Sequence, residues 1–288
     1  MKVLNFGSLN VDYVYQVDHI MLPGETQSST QRNVFAGGKG LNQSVALAKA
    51  GLPTYHAGQV GNDADGEMLL QVLKRNGVDC SLVNRIDGPC GHTFIQVDKD
   101  ALLFGGANRC IDAVYRKEVF SHFSAGDVIV LQNEINDLDQ VIDEAYEKGM
   151  MIVLNPSPFD DSLRSLDYNQ IRWIFINEVE GHQMTGETAP DAILSALRAK
   201  YPALCVVLTL GSAGSICCTP EKTVHQPIFR VQAVDTTAAG DTFTGYFLAA
   251  LTQGLPLETC MARAAAASAI SVTRQGAAPS IPRAEEVD

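Results

Sequence analysis

Val128-Ile-Val-Leu131, the stretch Leu138 to Lys148 with Gly149 behind it, and Met151-Ile-Val-Leu154 follow one another across short gaps. The two apolar runs are too short for helices and read as buried strands. The segment between them is helical and is closed by a glycine that can take the left-handed turn ending a helix. A strand, a helix and a second strand in this order form a crossover unit, and such units build parallel sheets.

The same alternation spreads outward from this unit. Towards the N-terminus, Val3 to Phe6 and Tyr55 to Val60 read as strands. Asn42 to Ala50, closed by Gly51, and Ala64 to Asn76, with Met68, Leu69, Val72 and Leu73 on one face, read as helices. Towards the C-terminus come a strand at Trp173 to Ile176, a helix at Ala192 to Ala199 and a strand at Cys205 to Thr209. Helices at Gly240 to Leu251 and Leu257 to Val272 close the pattern, and the run Ala264 to Ala267 lets one helix lie close to a neighbour. The pattern predicts an α/β fold with a mostly parallel central sheet covered on both faces.

Two stretches break the rhythm. Val11 to Phe35 is strand-like but polar, with a Pro23-Gly24 turn, and Thr93 to Phe104 reads as a hairpin turning at Lys99-Asp100. Neither holds a crossover helix, so both are expected in a small β-sheet projecting from the main one, where a lid belongs. The lid segments span approximately 11–35 and 92–105. No linker, repeat or charge run marks a boundary, so residues 1–288 read as a single domain.

The apolar fraction of 46% and charged fraction of 19% are those of a globular chain. A formal net charge of -12 argues against a nucleic-acid groove or an anionic membrane surface, both of which need a basic patch. The seven cysteines show neither C-x-x-C nor metal-ligand spacing, which points to reduced thiols in a cytoplasmic protein. The opening Met-Lys-Val-Leu-Asn-Phe-Gly7 reads as a first strand, not a signal peptide. No apolar run approaches the ~18 residues of a membrane span.

Asp235-Thr-Thr-Ala-Ala-Gly-Asp241-Thr-Phe243 carries the chemistry. Small residues lead directly into a long apolar helix, so the amides of Ala238, Ala239 and Gly240 can point outward from its start. A helix N-terminus with free N–H groups is an anion site. An aspartate in the first turn can take a proton from a hydroxyl attacking a phosphate held there. The alternative is that Asp241 and Thr242 cap the helix.

With this motif in place, the chain resembles the ribokinase-like (PfkB) carbohydrate kinases, and the ribokinase branch most closely. The resemblance rests on Gly7-Ser-Leu-Asn-Val-Asp12, Pro23-Gly-Glu-Thr26, Gly37-Gly-Lys-Gly-Leu-Asn42-Gln43, Gly61-Asn-Asp63, Asn177-Glu-Val-Glu180 and Thr209-Leu-Gly-Ser212. It continues through Phe229 to Asp241 and ends at Pro279-Ser280. It implies a three-layer α/β/α sandwich with a small β-sheet lid. The implied reaction is ATP-dependent phosphorylation of a primary hydroxyl of a small sugar, with D-ribose foremost. Another pentose, a ketohexose or a nucleoside remains open, as does a sugar- or nucleoside-binding protein without turnover.

The resemblance also assigns roles by position. Asp241 is the general base, and the amides of Ala238, Ala239 and Gly240 hold the transferring group. Asn10, Asp12, Gly38, Lys39, Asn42 and Glu134 contact the sugar. Read unaided, Asn10 and Asp12 could be turn formers, Lys39 a solvated lysine and Glu134 an acidic loop residue. Asn177 and Glu180 would place Mg²⁺ and phosphate through water, with a helix-surface acid as the alternative for Glu180. Thr209, Gly211, Gly214, Gly240 and Ala265 would border ATP. Asp235, Thr237, Ser271, Arg274, Gly276 and Ser280 match a K⁺ site, several through backbone carbonyls. The competing reading is a loop tied down by Asp235. Lids of two subunits packing together imply a homodimer, with Val14, Tyr15 and Val17 suited to the contact. The hairpin between Asp98 and Leu102 is shorter than usual in the family, and the chain stops at Asp288, ahead of the usual closing helix.

Overall fold

The computed structural model of the chain describes residues 1–97 and 101–287. Lys99 and Asp100, where the sequence places the hairpin turn, lie outside the described residues. The chain runs β1 (Val3–Phe6), β2 (Asn10–Gln16), β3 (Gln31–Gly37), α1 (Lys39–Lys49), β4 (Thr54–Gly61), α2 (Ala64–Arg75), β5 (Asp79–Ile86), β6 (Gly91–Val97) and β7 (Ala101–Gly105). It continues through α3 (Ala113–Ser121), β8 (Val128–Gln132), α4 (Leu138–Glu147), β9 (Met151–Asn155), β10 (Trp173–Asn177), α5 (Glu178–Thr185) and α6 (Pro190–Lys200). Then come β11 (Cys205–Thr209), β12 (Ser215–Cys218), β13 (Thr223–Gln226), α7 (Ala239–Thr252) and α8 (Leu257–Ser271).

Nine strands form the main sheet in the order β13-β12-β11-β10-β9-β8-β1-β4-β5. From β11 through β5 every pair is parallel, while β12 and β13 add an antiparallel edge. Successive residues of a strand point to opposite faces, which sorts the apolar runs into two cores. Val3, Val130, Val153, Phe175 and Val207 pack with α1, α2, α7 and α8. Leu4, Phe6, Ile129, Leu131 and Leu154 pack with α3, α4 and α6. This is the three-layer arrangement expected from the alternation.

Several elements differ from expectation. α1 begins three residues earlier than its apolar period suggests, because Gly38 at φ 91° turns the chain into the helix and its first two residues, Lys39 and Gly40, are not apolar. Pro190 opens α6 two residues early, as a proline at the first helical position can. α5 lacks an apolar stripe and so leaves no periodic signal; a capping box between Asn177 and Glu180 starts it instead. β5, α3, β12 and β13 were not foreseen either.

The smaller sheet has the order β3-β2-β6-β7, with β2 and β6 parallel and the outer pairs antiparallel. It springs from the carboxyl end of β1. The register sets Asp12 opposite both Phe35 and Thr93, so these three share one face, while Tyr13, Val34 and Phe94 share the other. Val14 and Tyr15 therefore point to opposite sides, and the Tyr15 ring stacks on Phe94 within the sheet. They do not form one contact surface.

Candidate active site

Four strands of the main sheet end on a polar residue after an unbroken apolar run: Gln132, Asn155, Asn177 and Thr209. The register pairs Gln132 with Asn155 and Asn177 with Thr209, and the β9–β10 register sets the second pair two residues further along the carboxyl edge than the first. Each is two residues past a member of the core under α1 and α7, so all four face those helices. Ligands of open α/β sheets bind at this edge.

Two helix N-termini meet above these residues, and they are satisfied differently. At α1, Lys39 N donates to Glu134 Oε2 at 3.0 Å, Gly40 N to Ser8 Oγ at 3.2 Å and Leu41 N to Ser8 O at 2.9 Å. Ser8 Oγ in turn donates to Glu134. This helix start is filled by the protein's own carboxylate, so Glu134, expected as a sugar ligand, already serves as a cap through one oxygen. At α7, the amides of Ala238, Gly240 and Asp241 have no acceptor among the described residues. The structure corrects the expectation at Ala239, whose amide donates to Thr236 O at 3.2 Å. The cause is Ala238, which adopts a left-handed conformation (φ 60°) and folds residues 236–239 into a closed turn.

Hydroxyls anchor the carbonyls of this turn from behind. Ala238 O accepts from Thr242 Oγ1 at 2.8 Å, Ala239 O from Ser268 Oγ at 3.1 Å and Gly240 O from Thr244 Oγ1 at 2.9 Å. The carbonyls of this turn are thus engaged while the amides of Ala238, Gly240 and Asp241 are not. Asp241, in the first turn and buried, accepts from Asn42 Nδ2 at 3.2 Å and Gln43 Nε2 at 2.9 Å. Its carboxylate lines a cavity of about 270 Å³ together with Lys39, Asn155, Asn177, Glu180, Thr209 and the turn 238–240. Lys39 is no solvated lysine: burial opposes its charge, but Asp241, Glu134 and Glu180 outweigh that and hold its pKa above the ordinary value. Glu180 is buried, with one oxygen taken by Asn177 N at 2.9 Å.

A second cavity of about 750 Å³ adjoins the first across Thr209, Thr236, Ala239, Gly240 and Phe243. Gly211, Gly214, Ala265, Phe229 and Val231 line it, so the residues expected around a nucleotide do share one space. Asn10 and Asp12 belong to β2 and form no turn. Asn10 Oδ1 accepts from Asn108 Nδ2, and the buried Asn42 Oδ1 has no partner. Burial pushes Asp12 up to about 7; a hydrogen bond to Thr93 opposes this and the nearby Glu134 adds to it.

The residues expected around a monovalent cation are brought together, but their side chains are engaged. Asp235 accepts from Thr237 N at 2.9 Å and Thr237 Oγ1 at 2.6 Å on one oxygen, and from Gly276 N at 2.9 Å on the other. Ser280 Oγ donates to Ala277 O and lies 3.0 Å from Ser271 Oγ. Arg274 pairs with Glu286. Among the described residues no cluster of three or more His, Cys, Asp or Glu could hold a metal.

Gln132, Asn155, Asn108 and the hydroxyls of Thr244 and Ser268 belong to no sequence motif, and Gln43 stands in one without an assigned role. Part of the signal was there: an amide or hydroxyl closing an otherwise apolar strand is costly inside a core unless it is put to use.

Comparison with known proteins agrees with this arrangement. A model of the pfkB family of carbohydrate kinases matches residues 1–284. A ribokinase of Haemophilus influenzae is 33% identical over 295 residues, covering 97% of this chain and 95% of its own. The crystal structure of a Thermotoga maritima ribokinase superposes with a TM-score of 0.85 at 31% identity, over 100% of this chain and 98% of its own. An Arabidopsis thaliana ribokinase, complexed with ribose and ATP, does so with a TM-score of 0.86 at 30% identity, over 99% and 97%. The open amides of α7 beside a held carboxylate thus sit in a chain that matches one family along almost its whole length, and this chain belongs to the pfkB family of carbohydrate kinases.

Proposed function

We propose that this kinase transfers the γ-phosphate of ATP to the primary hydroxyl of D-ribose. The observation that carries the reading is the unfilled N-terminus of α7 with Asp241 in its first turn. Where α1 is closed by Glu134, α7 keeps its amides for an anion from outside the chain. The solved relative holding ribose and ATP supports the choice of substrates.

The sugar lies between Asp12, Asn10 and Asn42 on one side and Asp241 on the other. Asp241 takes the hydroxyl proton as the oxygen attacks the γ-phosphorus, and ADP leaves. Negative charge on the transferring group is met by the amides of Ala238, Gly240 and Asp241 and by Lys39, a preorganised set that need not reorient during the reaction. These local positive groups answer the problem of a chain of net charge -12 binding a polyanion. The small sheet acts as the lid, keeping water from competing as acceptor, and residues 1–288 act as one unit.

Glu180, with one oxygen uncommitted to Asn177, and Asn177 itself fit Mg²⁺ held mostly through water, as that ion prefers. Mg²⁺ supplies charge neutralisation to the phosphates. For K⁺, the engaged side chains leave backbone carbonyls as the donors, with Asp235 supplying charge; neutral oxygens and a single carboxylate suit a monovalent ion. Turnover is expected to rise severalfold in K⁺ over Na⁺, and equal rates would remove this ion from the account. No described helix is long and apolar enough to cross a membrane. The seven free cysteines support a reducing, cytoplasmic setting.

Asp241→Asn tests the reading. Loss of a general base lowers kcat by roughly 10²–10⁴, while ribose binding, followed by calorimetry, is retained. A variant with unchanged turnover would take the base assignment away.

A further inference from the structure

A chain of buried side-chain amides runs from the middle of the sheet to Asp241. Asn5 Nδ2 donates to Gly40 O at 2.8 Å, and Asn5 Oδ1 accepts from Gln132 Nε2 at 3.0 Å. Gln132 Nε2 also donates to Gln43 Oε1 at 2.7 Å. Gln43 Nε2 then donates to Asp241 Oδ1 at 2.9 Å and to Asn155 Oδ1 at 3.3 Å. Asn5, Gln132 and Gln43 have no measurable exposure, so water is not available to replace the bonds among them.

An amide side chain can face either way, and its orientation has to follow from its partners. Two fixed ends settle it here. The carbonyl of Gly40 can only accept, so Asn5 must turn its NH₂ there and its oxygen to Gln132. Gln132 must then offer its NH₂, and Gln43 must offer its oxygen in return. Independently, Asn155 Nδ2 donates to Phe175 O at 2.8 Å, so Asn155 turns its oxygen to Gln43. Both routes leave one orientation for Gln43, with its NH₂ aimed at Asp241.

We infer that Gln43 is a positioning residue for the phosphoryl transfer: oriented by Gln132 and Asn155, it fixes the rotation of the Asp241 carboxylate and keeps it presented to the acceptor hydroxyl. The inference rests on Asp241 being the base. Gln43 itself touches no substrate. Asn42, on the same turn of α1, binds the other oxygen, so the two amides hold the carboxylate from both sides. Without Gln43 the carboxylate can rotate about its last torsion, which is broad and weakly restricted on its own. The cost falls on the reacting geometry and not on sugar or nucleotide contacts.

The experiment is steady-state kinetics on Gln43→Met, which keeps the side chain's length and loses both polar atoms. A hydrogen bond to a charged group implies a fall in kcat of about 10- to 100-fold, with KM for sugar and for ATP within about twofold of the parent. A purely structural role would lower the folded fraction, and so kcat and stability together, without this split per folded enzyme. Gln43→Glu adds a second readout. Ionised, it repels Asp241; protonated, it can donate to it as the amide does. Its kcat relative to Gln43→Met is therefore expected to recover as pH falls from 8 towards 6. Gln132→Met covers the case in which Gln43→Met does not fold, and is expected to lower kcat by about 3- to 10-fold with KM unchanged. An unchanged kcat in whichever of the two methionine variants folds overturns the inference. The two readings separate cleanly: full turnover in Asp241→Asn removes the base and this inference with it, whereas an inactive Asp241→Asn beside a fully active Gln43→Met removes the positioning role alone.

Discussion

Asp12 shows how little a residue's identity reveals about its state. As a letter in Asn-Val-Asp it suits a turn; in the structure it sits in a strand, opposite Thr93, partly buried and near Glu134. Burial raises it to about 7, which sets two effects against each other. Sugar hydroxyls need the ionised form as acceptor, so the dissociation constant should increase as pH falls through 7, by up to roughly tenfold per unit. Folding has the opposite sign. The folded value lies above the ordinary carboxylate range, so the folded state binds the extra proton. The stability this confers is fully present below the ordinary carboxylate pKa and is lost as pH rises through about 7. Calorimetric titration of the sugar from pH 5.5 to 8.5 checks the first statement, and a flat profile would show that Asp12 does not titrate in the site. Its identity and place after the first strand could be read from the sequence. Its ionisation could not, because it depends on burial and on a carboxylate 122 positions further along the chain.

At the scale of elements, the site depends on how closely α7 approaches α1, because Asn42 and Gln43 on one helix must reach Asp241 on the other. Gly245 makes that approach available: a Cβ there would lie 2.5 Å from Ala46 Cβ and 2.7 Å from the Ala46 carbonyl carbon. Gly245→Ala forces the helices apart. Overpacking of this kind costs about 1–3 kcal/mol, measurable by urea unfolding, and kcat should fall with it because the amides lose their reach. Parent-like stability would mean that the crossing tolerates the methyl group. The Ala264 to Ala267 run pointed to close packing of α8; the close contact of α7 with α1 was not legible, since a lone glycine inside an apolar helix reads only as a weak point. The strands were legible from their apolar runs, and their polar last residues were visible too. Only the register shows that they form two neighbouring pairs, offset by two residues between β9 and β10.

For the molecule as a whole, the smaller sheet leaves Val34 and Phe94 at 39% and 40% exposure on the face it shares with Tyr13. We propose that these exposed apolar side chains meet a second copy of the chain, in the homodimer through the lid that the family resemblance implies. Sedimentation velocity is expected to give twice the chain mass, and Val34→Asp to halve it; a parent that sediments as a single chain would end that proposal. The contact would not use Val14, Tyr15 and Val17 as one patch, since alternation along β2 turns Val14 and Tyr15 to opposite faces.

The layered sheet, the small-residue turn before α7 and the family are legible in the sequence, because each is written in local patterns: apolar period, small residues ahead of a helix, and motifs in a fixed order. The tertiary structure alone decided which helix start stays open and which is filled by Glu134, which way Gln43 faces, and that Ala239 closes its own turn. Those outcomes depend on hydrogen bonds between segments far apart in the chain. No local pattern specifies them, since a donor's worth to a ligand depends on whether some distant acceptor has already taken it.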